Sequence, residues 1–135
     1  MTNKPNSAIN MDKKYNTATL FNGLRIIHRP SSSPVVYCGY QINAGTRNET
    51  PEEMGMAHFC EHASFKGTSK RTPFNILNCL ESVGGDLNAF TNKEDTVYYA
   101  ALPKEHAFRA VKLLTDMVFD SQYPDNELKK EIEVI

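Results

Sequence analysis

The stretch His58-Phe59-Cys60-Glu61-His62 carries three side chains whose types and spacing suit metal-assisted hydrolysis. On a helix four residues advance by about 400°, so His58 and His62 share one face, a turn apart. Neutral imidazole is a good zinc ligand, and two on adjacent turns can converge on one ion at about 2.0 to 2.1 Å. Glu61 lies about 300° on from His58, which puts its carboxylate on the same side, bordering the metal rather than binding it. A zinc ion lowers the pKa of its bound water to about 7, and a neighbouring carboxylate can then take the proton. That is the chemistry of peptide-bond hydrolysis. Two histidines four apart also occur on helices that hold no metal, and spacing alone leaves that reading open.

Cysteine is itself a common zinc ligand, so Cys60 needs a place. It lies about 200° round the helix from His58 and points away from the histidine face, which predicts a small buried residue turned toward a sheet. The other cysteines, Cys38 and Cys79, form no C-x-x-C pair with it, so a structural zinc site is disfavoured. His28 and His106 have no partner at ligand spacing and read as ordinary surface or packed histidines.

The elements around this helix follow from turn chemistry and periodicity. Tyr15 to His28 reads as two short strands about Asn22-Gly23, the dipeptide that best tolerates a tight hairpin turn. Val35 to Ala44, rich in β-branched and aromatic residues, predicts a third strand. Gly45 to Glu53, polar and holding Pro51, predicts a loop, and Met54 to Phe65 the helix of the site. Thr72-Pro73 opens a second helix and Gly84-Gly85 stops it. Asp86 to Thr91 and Thr96 to Leu102 predict a hairpin of strands. Pro103 opens a helix with apolar positions at Phe108, Val111, Leu114, Met117 and Val118. A last helix starts near Asn126 and is still running at Ile135, which predicts a fragment cut within that helix. The order predicts an α+β fold, with helices on one face of a mainly antiparallel sheet.

Charge and composition exclude little but direct attention to sites. The net charge is -1, from 15 basic and 16 acidic residues interleaved along the chain, so there is no electrostatic case for nucleic acid or an anionic membrane. No apolar run is long enough to span a bilayer. Residues 1–14 are polar, lack the apolar centre of a secretory signal, and read as a disordered leader. Three cysteines cannot all pair within one chain, which points to free thiols and a cytoplasmic location.

His58-x-x-Glu61-His62 resembles the inverted zinc-protease signature of the inverzincins. With Gly55-Met56-Ala57 before it and Phe65-Lys66-Gly67-Thr68 after, it is similar to the pitrilysin, insulin-degrading enzyme and mitochondrial processing peptidase family. Asn43-Ala44-Gly45-Thr46-Arg47 with Glu49, then Gly84-Gly85-Asp86-Leu87-Asn88-Ala89-Phe90-Thr91, Thr96-Val97-Tyr98-Tyr99 and Leu128 to Ile135 extend the resemblance in order over about residues 17 to 135. The resemblance implies that residues 15–135 are the N-terminal part of a zinc metalloendopeptidase half-domain. His58 and His62 would ligate Zn2+, and Glu61 would be the general base. A third ligand, a glutamate, is expected beyond the C-terminus, and Glu131 would support the site from the same helix. Glu131 acting as the ligand itself is the weaker alternative.

Asn88, Ala89 and Phe90 would bind a peptide or unfolded polypeptide laid along a sheet edge. Without the resemblance, Asn88 reads as a turn residue and Phe90 as core. A second homologous half-domain in the parent would close over the substrate and stabilise the developing oxyanion. Tyr98, Tyr99 and Arg47 are the polar candidates within this chain for that task, and nothing in the sequence promotes them to it. The fragment alone is expected to be inactive and, with apolar surface uncovered, to self-associate. The competing readings are a non-catalytic peptidase-like subunit and a plain peptide-binding module.

Overall fold

The computed structural model describes residues 9–11 and 14–134, which divide into two compact units, one up to residue 33 and one from residue 34. In the first, β1 (Ile9–Met11), β2 (Asn16–Thr19) and β3 (Arg25–His28) form an antiparallel meander in that order. The β2–β3 turn is the one that Asn22-Gly23 predicts. Gly23 takes a positive φ of 89°, and the Asn22 side chain accepts from the Leu24 amide at 3.1 Å. Within the leader read as disordered, Ile9–Met11 instead pairs with β2, Ile9 opposite Ala18 and Met11 opposite Asn16. The edge of β2 away from β3 offers backbone partners that a composition argument does not see. The other leader residues, apart from Lys14, lie outside the described ones.

The second unit is a three-stranded antiparallel sheet, ordered β4 (Val35–Ile42), β6 (Thr96–Pro103), β5 (Asp86–Thr91). Alternation sorts its two faces. Val36, Cys38, Tyr40 and Ile42, with Tyr98, Ala100 and Leu102, point into the core, and Leu87 and Ala89 pack against it. Onto that face pack α2 (Pro73–Glu81) and α3 (Ala107–Phe119), through Ile76 and Leu80 and through Ala110, Leu113, Leu114 and Met117. The Thr72 hydroxyl caps α2 by accepting from Asn75 N at 3.2 Å, Pro73 fills its first turn, and Gly84, at φ 79°, ends it.

The buried stripe of α3 differs from the predicted one. Phe108 and Val111 are 70% and 44% exposed, while Ala110 and Leu113 are buried with Leu114 and Met117. Periodicity fixes the width of an apolar stripe, but here apolar residues run nearly round the helix, and the sheet selects which arc is covered.

The site helix α1 (Met56–Ala63) is shorter at both ends than its apolar pattern suggests. Gly55, at φ 89°, cannot be helical, and beyond Ala63 the amides of Phe65 and Lys66 bond three residues back, to His62 and Ala63. A final helix, α4 (Asp125–Val134), begins after Pro124 and packs against α1.

Candidate metal centre

Helix α1 has no side-chain cap of its own, since its N-cap residue is Gly55. Glu49 supplies the missing acceptors from the preceding loop. Its two carboxylate oxygens accept from the amides of Gly55 and Ala57, each at 2.9 Å. A carboxylate at a helix N-terminus both satisfies unpaired donors and complements the helix dipole. The loop itself is clamped to the β5–β6 turn, with Thr46 N and Arg47 N donating to the carbonyls of Asn92 and Lys93 at 3.0 and 2.9 Å. A Cβ on Gly45 would come within 2.3 Å of Asn92 O, so only glycine permits this approach. The start of α1 and the end of β5 are thereby held in one register.

On α1, His58 and His62 meet edge to face, their ring centroids 4.4 Å apart and their Nε2 atoms 2.9 Å apart. Two ligand nitrogens on a tetrahedral zinc are separated by about 3.3 Å, so the pair fits an ion after opening by a few tenths of an ångström. The other nitrogen of His62, Nδ1, lies 2.6 Å from Glu131 Oε1 on α4. An ionised carboxylate only accepts, so this contact puts a proton on Nδ1; in the neutral ring Nε2 is then the bare lone pair, the tautomer a metal needs. Lys66 Nζ, at 3.2 Å from Glu131 Oε2, partners the other carboxylate oxygen. Burial pushes the Glu131 carboxyl up, and hydrogen bonds and charge from Lys66 and His62 more than offset it, holding its pKa below the ordinary carboxylate value.

Glu61, on the same helix, is nearly buried and accepts a 2.5 Å hydrogen bond from Thr91 Oγ1 at the end of β5. Between α1 and β5 runs a groove of about 280 Å³ lined by Glu61, His62, Phe65, Lys66, Leu87, Asn88, Ala89 and Glu131. The structure thus brings together His58, His62, Glu61 and Glu131, with Asn88 and Ala89 on the groove's wall. Among the described residues no set of three or more His, Cys, Asp and Glu side chains converges on a point suited to a metal ion. The donor set there is the imidazole pair, with Glu131 engaged through Nδ1 of His62.

Phe90 differs from the reading that put it in the core. It is 42% exposed, on the sheet face away from the helices, where its ring meets Tyr99 edge to face at 6.0 Å. Asn88 is an exposed strand residue on that face, not a turn residue, and Ala89 faces the core. Cys60 is half-buried; burial, then the Glu49 charge, push its thiol pKa up. Tyr98 is buried and its hydroxyl meets Ser64 Oγ at 2.9 Å, Tyr99 is on the opposite face of the sheet, and Arg47 pairs with Glu94. None of the three polar candidates is aimed at the imidazole pair. Sequence reasoning missed Thr91 and the capping role of Glu49, because both act across chain separations that no local pattern encodes.

Comparison with known proteins places the chain in a family. Residues 25–135 match the family model described as insulinase, peptidase family M16. The chain is 45% identical over 127 residues to an uncharacterized zinc protease, YmxG, of Bacillus subtilis (strain 168), covering 93% of this chain and 30% of that protein. It is 40% identical over 116 residues to the mitochondrial-processing peptidase subunit beta of Bos taurus, covering 86% of this chain and 24% of that one. A protease from Helicobacter pylori has the same fold, with a TM-score of 0.86 at 25% identity, over 90% of this chain and 30% of that one. The chain therefore spans less than a third of the length of these relatives. The fold, the imidazole pair and a family match running from Arg25 to Ile135 converge on one assignment: the chain belongs to the insulinase family, peptidase family M16.

Proposed function

We propose that these 135 residues are the N-terminal part of a zinc metalloendopeptidase that hydrolyses peptide bonds in unstructured polypeptides. The observation that carries the reading is the imidazole pair on α1, with Nε2 atoms 2.9 Å apart and one tautomer set by Glu131, beside the buried carboxylate of Glu61. Relatives bearing the names zinc protease and processing peptidase support it.

His58 and His62 would hold the metal, with a third protein ligand from outside these residues. Zinc, when bound, would supply Lewis acidity, lowering the pKa of a water at neutral pH. Glu61 would act as the general base, taking a proton on its carboxylate and passing it to the departing amine. Glu131 and Lys66 fix the orientation of His62. The substrate lies as an extended strand on the free edge of β5, past Asn88 and Ala89, where main-chain pairing gives affinity with little sequence demand. Phe90, on the far face of the sheet, meets substrate only at the rim. A second half-domain completes the site, and a cytoplasmic location goes with this reading on the odd number of cysteines.

The test is Glu61→Gln in the intact parent protein, with zinc content and cleavage of a quenched peptide both measured. Cleavage should fall by at least about a thousandfold with zinc retained, since the variant keeps the shape but not the base. Full activity in Glu61→Gln would remove Glu61 as the base. A non-catalytic subunit, the second reading, would bind the peptide and leave it whole, but the intact His58, Glu61 and His62 set favours catalysis.

A further inference from the structure

Thr91 is the one donor to Glu61 among the described residues. Its hydroxyl gives a 2.5 Å hydrogen bond to Oε2 of Glu61, a residue only 8% exposed. From this contact we infer that Thr91 is a positioning residue for hydrolysis, holding the Glu61 carboxylate in the one orientation that reaches the attacking water. The inference rests on the reading of Glu61 as general base.

A glutamate side chain has three rotatable bonds, and the helix by itself excludes one χ1 well and leaves several rotamers open. A general base must reach its proton at about 2.6 to 3.2 Å, so an unselected rotamer is unproductive for much of the time. Thr91 meets the need for a rigid donor. Its branched Cβ restricts χ1, and its backbone is the last rung of β5, opposite Thr96 of β6. Directly after it the turn is closed by Asn92 N donating to Asp95 O at 2.7 Å, and the loop before α1 is tied to the same turn through Asn92 and Lys93. Donor and acceptor therefore ride on one braced assembly: the end of β5, the clamped loop, and the helix that Glu49 caps. With Oε2 held, Oε1 is the oxygen presented for proton transfer.

A packing role for the methyl group and a positioning role for the hydroxyl predict opposite orders of activity. Thr91→Ser keeps the hydroxyl and loses the methyl, Thr91→Val keeps the shape and loses the hydroxyl, and Thr91→Ala loses both. In the intact parent protein, loaded with zinc, we expect Thr91→Val and Thr91→Ala to lower kcat by about 10- to 100-fold with KM and bound zinc unchanged. Thr91→Ser should stay within about threefold of wild type. In metal-free crystals of Thr91→Val the Glu61 side chain should occupy more than one rotamer. Activity that follows shape, with Val active and Ser impaired, overturns the inference, as does wild-type kcat in both Val and Ala. Should Thr91→Val not fold, Thr91→Ala against Thr91→Ser decides. Glu61→Gln runs alongside. If it is inactive while Thr91→Val is not, the positioning role falls and the base assignment stands; if it is active, both fall.

Discussion

At the scale of single residues, the site is a relay of hydrogen bonds whose direction is set by which groups can donate. Glu131 accepts from His62 on one oxygen and from Lys66 on the other, so its charge is matched on both sides in a nearly buried position. Its folded pKa lies below the unfolded value of 4.5, so the pair stabilises the fold above that value. That contribution is lost as pH falls below 4.5 and through the lower folded pKa. Lys66→Met removes the ammonium, raises the folded pKa, and should cost roughly 1 to 3 kcal/mol at about pH 7 and much less once the pH lies below the folded pKa of Glu131, by urea unfolding. An equal loss at both pH values would mean that the lysine contributes packing and not charge.

At the scale of elements, the short helix α1 owes its start to a residue outside it. Eight residues make a marginal helix in isolation, and its N-cap glycine has no side chain to offer. Glu49 stands in with both carboxylate oxygens. Glu49→Ala should destabilise the fold by about 1 to 2 kcal/mol and loosen the first turn, which carries His58. Chemical denaturation checks the first effect, and zinc affinity of the intact protein the second. Glu49→Gln, which keeps one of the two acceptor oxygens and loses the charge, should fall between. A Glu49→Ala protein as stable as the wild type would show that the cap is dispensable.

At the scale of the whole molecule, the proposed pair of ligands and an incompletely covered surface set what is expected of this chain alone. Tyr37, Phe74, Phe108 and Phe119 are each at least 66% exposed, more large apolar side chain than a monomer usually presents. We expect the 135-residue chain to self-associate by light scattering and to hold zinc far more weakly than the parent protein, by equilibrium dialysis. A monodisperse monomer binding zinc as tightly as the parent would contradict both expectations.

Much of this was legible in the chain itself. Helical periodicity brought His58, Glu61 and His62 to one side of α1, and Asn22-Gly23, Thr72-Pro73 and Gly84-Gly85 announced their turns and caps, because each signal acts within a few residues. What required the tertiary structure is every contact between elements: the Glu49 cap on α1, the Thr91 hydroxyl on Glu61, the arc of α3 that is buried, and the open face on which Phe90 lies. Those depend on which strand edges and helix faces meet, and a local pattern carries the capacity for such a contact without naming its partner.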